Sequence, residues 1–198
     1  MIMKKMAVLL LAAVLSFGML TGCGAKNNRN SDEVTGDDAL EPSGMVHLEG
    51  LDEVASFIDE VYEGVAEDLL PYEVQTNELD LNDPDMLEYH TGLTDLTGIE
   101  GVYLSESMMS SIAYSAVYIR TNDEGDAEAI RQQLMDNINP AKWVCVSAEK
   151  EVGVILGKDI FFVMGAVDTV DEVYKNAAAA AAARDMSVSE PIEKNNPI

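Results

Sequence analysis

Leu51, Val54, Ile58, Val61, Val65 and Leu69 recur at steps of three and four, with acidic residues between them. That period is the signature of a helix with one apolar face, so residues 50–69 are predicted to form an amphipathic helix, which Pro71 ends. Asp83-Pro84-Asp85 predicts a second, short helix: Asp as N-cap, Pro at the first helical position and an acid in the first turn. Some of Met86, Leu87 and Tyr89 then face inward, and Gly92 closes the turn.

Beyond residue 99 the apolar period shortens to two. Residues 99–104 make one short candidate strand, and residues 112–121 another. In the second, Ile112, Tyr114, Ala116 and Tyr118 share one face, with Ala113, Ser115, Val117 and Ile119 on the other. Ala127, Ile130, Leu134 and Ile138 return to the helical period and stop at Asn139-Pro140. Residues 152–156 and 160–164 are almost continuously apolar around Gly157-Lys158-Asp159, which reads as a hairpin whose strands are buried on both faces or central in the sheet. A last helix, about 168–185, carries Val170, Val173 and an alanine tract, and residues 187–198 have the composition of a disordered tail. The fold class is therefore α+β: a mostly antiparallel sheet of about four strands with packed helices, in the order helix, short helix, strand-strand-helix, strand-strand-helix.

The N-terminus follows a different pattern. Met1 to Lys5 form a short basic head, Met6 to Leu20 are almost wholly apolar, and Thr21-Gly22-Cys23 follow. An apolar run of this length behind a basic head is a secretory signal, and it is too short for a spanning helix, which needs about 20 apolar residues. Leu20-Thr21-Gly22-Cys23 resembles the bacterial lipobox. The resemblance implies that residues 1–22 are a signal peptide, that Cys23 is lipidated, and that it becomes the first residue of the mature chain. Acyl chains contribute about 0.8 kcal/mol per buried CH₂, and two chains anchor stably where one does not. Residues 23–47 are rich in Asn, Asp, Ser and Gly and read as a flexible acidic tether with a reach of about 25–30 Å. One domain, residues 48–186, follows. The expected location is the outer face of the cytoplasmic membrane.

Charge narrows the partners. The chain has 12 Lys and Arg against 36 Asp and Glu, a net charge of −24. Loss of residues 1–22 from the 198 leaves 176 and removes two lysines and no acid, so the mature chain carries 10 bases against 36 acids, or −26. Such a surface excludes nucleic acid and flat binding to anionic lipid. With Cys23 lipidated, Cys145 has no intramolecular partner. Its neighbours in Trp143-Val144-Cys145-Val146 predict a buried, inert thiol.

Several of these features together resemble the DUF4358 family, small lipoproteins of Gram-positive bacteria. They are the lipobox, the acidic tether, the amphipathic helix, Leu87-Glu88-Tyr89-His90-Thr91-Gly92-Leu93, Val102 to Met109, the strand ending at Ile119-Arg120, the helix with Ile130-Arg131, and the Gly-Lys-Asp hairpin. The chain departs from that family in having only Tyr89 as an aromatic before Gly92, separated from it by His90 and Thr91. The resemblance spans about residues 50–185. It implies an extracytoplasmic domain of unassigned function and brings no catalytic residue.

Reactive residues add little. His47 and His90 are the only histidines and lack the further ligands of a zinc site, so surface or capping roles are expected. Asp80 to Asp85 superficially resemble a calcium loop, but Pro84, Asp85 and Thr91 fall where that loop needs a ligand, Gly and Glu; helix capping explains these acids. Ser147-Ala148-Glu149-Lys150 matches Ser-x-x-Lys without the companion elements of acylating enzymes and reads as a polar turn. Residues 105–111 read as a hydroxyl-rich loop in which Met108 and Met109 cover the core or contact a partner. Tyr114 and Tyr118 would form an aromatic platform for a ligand or pack beneath a helix. No cofactor or metal is called for. The expected function is a non-enzymatic binding or accessory module held by membrane lipid through Cys23, with an envelope protein or polymer as partner. The alternative is an envelope hydrolase or transferase using acids such as Glu106 or Asp123. Capture of a solute between two lobes would need a longer chain than this one.

Overall fold

The computed structural model describes residues 47–196. The expected signal peptide, Cys23 and the expected tether up to residue 46 lie outside the described residues. The first amphipathic helix (α1, Gly50–Glu63) buries Val54, Phe57, Ile58 and Val61. It stops earlier than its apolar period. Gly64 is its C-cap, and a Cβ there would come within 2.7 Å of Asn176 Nδ2. Asn176 in turn donates to the Val61 carbonyl at 3.2 Å, satisfying one of the acceptors a helix end leaves open. Val65 and Leu69 still reach the core, but from turns rather than from a continued helix.

The second helix (α2, Pro84–Thr91) is capped as expected. Asp83 accepts from Met86 N at 3.2 Å, and Gly92 closes it at φ 73°, a conformation that costs a side-chain-bearing residue about 1 kcal/mol or more. A Cβ at Gly92 would also meet the Asn137 backbone at 2.5 Å. Of its three apolar candidates only Leu87 is buried; Met86 and Tyr89 are exposed.

Among the described residues the sheet has six strands, not about four: β1 (Val74–Glu78), β2 (Ile99–Ser107), β3 (Ser115–Thr121), β4 (Lys150–Leu156), β5 (Asp159–Gly165) and β6 (Ile192–Asn195). Their order is β1-β2-β3-β5-β4-β6, and every neighbouring pair is antiparallel. The two hairpins β2–β3 and β4–β5 form the centre. The additional strands are the two edges, whose Val-Gln-Thr-Asn-Glu and Ile-Glu-Lys-Asn sequences show no apolar alternation because edge strands are held mainly by ladder hydrogen bonds. β6 corrects the prediction of a disordered tail. Ile192 packs into the core, and Asn196 donates to the Ala148 carbonyl and to Glu151 Oε1, the latter at 2.7 Å.

Helices α3 (Ala127–Asn137) and α4 (Val167–Ala182) complete a three-layer arrangement. α1 and α4 cover one face of the sheet over Tyr103, Tyr118, Val154, Phe161 and Val163. α2 and α3 cover the other over Val102, Val117, Ile119, Ile160 and Phe162. Burial on both faces explains why β4 and β5 are apolar almost throughout. Phe57 sits edge-on to Tyr118 and Phe161 at centroid distances of 5.9 and 6.2 Å, joining α1 to the sheet. Burying one such ring contributes roughly 1.5–3 kcal/mol.

Candidate functional site

The structure closes the aromatic platform. Tyr114 and Tyr118 share the predicted face, but both lie beneath helices. Tyr118 donates to Asp159 Oδ2 at 2.9 Å, and Tyr114 donates to Tyr62 Oη at 2.8 Å, which pairs with Ser105 Oγ at 2.7 Å. Burial pushes the Tyr62 hydroxyl up to about 12, so it stays protonated and serves as a link in that chain. Residues 105–107, expected in a loop, extend β2 instead. Met108 and Met109 begin the true loop and are exposed rather than covering the core.

At the end of the sheet where β2 leaves and β3 enters, five polar or aromatic groups converge on the α2 side. Lys142 Nζ lies 3.3 Å from Glu106 Oε2, 3.3 Å from Ser115 Oγ and 3.2 Å from His90 Nδ1. His90 Nδ1 is also 3.2 Å from Glu106 Oε2, and Trp143 Nε1 donates to Glu106 Oε1 at 2.7 Å. The Lys142 ammonium lies near the Trp143 ring, 5.1 Å from its centroid. Tyr89 holds the loop from outside by donating to the Lys142 carbonyl at 2.7 Å. Desolvation pushes the Lys142 pKa down against the pull of Glu106. Desolvation also works to raise Glu106, but His90, the Lys142 charge and Trp143 outweigh it and hold the carboxyl below its ordinary value. A serine beside a lysine of lowered pKa has the elements of an activated nucleophile. Here the Lys142 side chain is fully buried and so is Ser115, so neither is open to a substrate. His90, expected at the surface or in a cap, is buried in this network.

On the α1–α4 side of the same sheet end the structure is open. A cleft of about 480 Å³ runs between residues 68–72, the approach to β3 and the start of α4. Leu69, Leu70, Pro71, Ile112 and Val167 give it apolar walls, with the buried Tyr114 ring behind them. Thr169 donates to the Leu69 carbonyl at 2.9 Å and ties the two walls together. Tyr72 stands at its mouth with 79% of its surface exposed. Beyond it, Met108 N donates to the Glu73 carbonyl and Val144 N to the Ser110 carbonyl, so backbone bonds bring together the segments that carry exposed Tyr72, Met108, Met109 and Val144. Pockets of this size, apolar with a few polar groups, are the usual form of a binding site.

Cys145 is exposed, against the expectation of a buried thiol. Trp143 is buried and Val146 half-buried against the α2–α3 core, and between them Cys145 takes φ 62°, where the chain bends outward. Ser147 is exposed, whereas Lys150 is committed to Asp171 at 2.6 Å and Glu193 at 2.7 Å, so the Ser-x-x-Lys match is a turn and a strand start. Asp123 pairs with Lys158 at 2.9 Å on the surface. Asp80 accepts from the backbone and side chain of Asn82, a local turn. Among the described residues, no group of three or more His, Cys, Asp or Glu is placed to hold a metal ion, and no helix is long and apolar enough to cross a membrane.

No family model, no curated protein and no solved structure matches the chain. The residues that sequence reasoning missed are Lys142, Tyr72 and Val167. Lys142 lies 36 and 52 positions from its partners Glu106 and His90, so no local spacing marks it. Tyr72, after Pro71 and among acids, carried a faint signal as an aromatic outside any apolar period.

Proposed function

We propose that the protein is a membrane-anchored extracytoplasmic lipoprotein whose domain is a non-enzymatic binding or accessory module at the cell envelope. The anchor rests on Leu20-Thr21-Gly22-Cys23, and the resemblance to the DUF4358 family belongs to the same reading. The observation that carries the binding role is a difference in exposure: Lys142, Ser115, His90 and Glu106 satisfy one another inside the fold, while the largely apolar cleft beside Tyr72 faces solvent. Tethered on residues 23–47, such a cleft would be presented to envelope partners rather than to the lipid surface.

Two measurements test this. Growth with an alkyne-tagged palmitate should label the protein and leave it in the membrane fraction. Cys23→Ser should abolish the label and release the chain; a labelled Cys23→Ser variant would reject the anchor. Cross-linking in native membranes should trap a recurrent partner, and a spread of random neighbours would count against the binding role. The alternative, an envelope hydrolase or transferase, requires Glu106→Gln or Asp123→Asn to abolish complementation of a deletion strain while the folded protein persists.

A further inference from the structure

We infer that the cleft beside Tyr72 binds a polypeptide segment that is both cationic and apolar, with Lys or Arg flanking large hydrophobic side chains. This rests on the binding reading above and names the partner's chemistry. The apolar part follows from the walls: Leu69, Leu70, Ile112 and Val167 offer a recess that only a hydrophobic side chain fills without stranding polar groups. The cationic part follows from the charges at its rim. Asp68, Glu149 and Asp168 line the cleft, and no Lys or Arg does. Lys150, the nearest base in sequence to Glu149, is held by Asp171 on α4 and by Glu193 on the neighbouring strand β6. Glu149 Oε2 accepts from Val167 N at 3.4 Å, which sets a carboxylate against the first turn of α4 where an anion would otherwise approach. The chain as a whole carries a net charge of −24, which draws cations and repels anions.

A polypeptide fits better than a small amine because the apolar surface does not end at the cleft. Exposed Tyr72 at the rim, Met108 and Met109 in the loop between β2 and β3, and Val144 between α3 and β4 lie on segments joined by backbone hydrogen bonds and add apolar surface near it. Exposed methionines give an adaptable surface that repacks against different apolar side chains. The same acids argue against membrane lipid as the occupant, since anionic headgroups would be repelled from the rim.

Fluorescence anisotropy on the full chain in mild neutral detergent tests the assignment. The probe is a labelled nine-residue peptide alternating Lys with Leu and Phe; its Glu-for-Lys and Ser-for-Leu/Phe counterparts are the controls. The cationic apolar peptide should bind at least tenfold more tightly than either control, and more weakly as salt rises. Tyr72→Ser with Met108→Ser should weaken it about tenfold, as should Asp68→Asn with Glu149→Gln and Asp168→Asn. Asp85→Asn with Glu88→Gln and Asp136→Asn removes as much charge from the α2–α3 face and should leave affinity within twofold. Equal losses from both charge sets would reduce the attraction to diffuse charge and overturn the site, as would equal binding of the Glu peptide. A photoreactive Tyr72→p-benzoylphenylalanine chain in native membranes separates the two levels of the reading. A recurrent adduct through a basic, apolar segment supports the proposal. A recurrent adduct through an acidic or neutral segment overturns the cationic assignment and leaves the binding module standing. Adducts to lipid alone, or none, overturn both.

Discussion

On the α2–α3 side of one sheet end, Glu106 and Lys142 meet under Trp143 and beside His90, and the Lys142 ammonium, both Glu106 oxygens, His90 Nδ1 and Trp143 Nε1 find partners within the fold. On the α1–α4 side of the same end, Asp68, Glu149 and Asp168 surround apolar walls with no base among them. The first region holds the residue types that usually signal chemistry and is sealed. The second is lined by carboxylates and apolar side chains and is open. Which region deals with the outside is decided by burial rather than by residue type. A chain with so few bases also has little cation to spare. One of them is spent inside on Glu106, which leaves the cleft uniformly acidic. A third region sharpens the contrast. At the opposite end of β3, buried Asp159 is held by the Tyr118 hydroxyl and Thr121 N at 2.9 Å each. Desolvation dominates there, and its pKa is pushed up to about 6.

The largest expected effect comes from breaking the sealed region. Lys142→Met leaves a buried carboxylate with only His90 and Trp143, and removal of one member of a buried pair costs about 3 kcal/mol. Adding Glu106→Gln should restore part of that loss in urea unfolding; strictly additive losses would mean that the pair is not coupled. Asp159→Asn should do the opposite. The unfolded chain releases this proton near 3.8 and the folded chain near 6, so the folded state holds more protons between those values. The group's contribution to stability therefore falls as pH rises from about 4 to 6, and its penalty is constant above that. Asparagine keeps an acceptor for Thr121 N without the charge. The variant should be more stable by about 2 kcal/mol at pH 7.5, with the gap closing near pH 4. A gap that does not change with pH would refute this account. Glu106 has the reverse sign, since its lowered pKa adds stability that acid removes as it protonates.

Asn196→Ala tests the docked C-terminal segment. It removes the 2.7 Å hydrogen bond to Glu151, which is fully buried, and should cost about 1.5 kcal/mol. An unchanged unfolding midpoint would mean that β6 adds nothing. The smallest effect belongs to the open region: Tyr72→Ser should shift stability by less than about 0.5 kcal/mol, because the side chain is mostly exposed. A large loss there would make the rim of the cleft structural and undo the contrast between the two sides.

Where a period met a cap, the local sequence was enough to place an element. Asp83-Pro84 and Gly92 bound α2, and Gly157 sits at φ 65° in the β4–β5 turn. The two faces of β3 also follow from alternation, with Tyr114 and Tyr118 on one side and Val117 and Ile119 on the other. Alternation does not say what covers a face. The same tyrosines fit an open platform or a helix-covered core, and only the packing of α1 and α4 chose the core. The end of α1 shows a similar limit, because the terminating contact comes from Asn176, far along the chain.

Local chemistry, acting over a few residues, determined the helix period and caps, the central hairpins, the strong acidity and the lipobox-like Leu20 to Cys23. Tertiary structure alone decided the edge strands, whose backbone ladders need a neighbour, and the burial of Lys142, whose partners lie dozens of residues away. It also decided the exposure of Cys145 in an apolar tetrapeptide, since the direction of a bend depends on what its flanking residues pack against. The cleft belongs to that second class. Its walls come from three separate segments, and no stretch of sequence contains its shape.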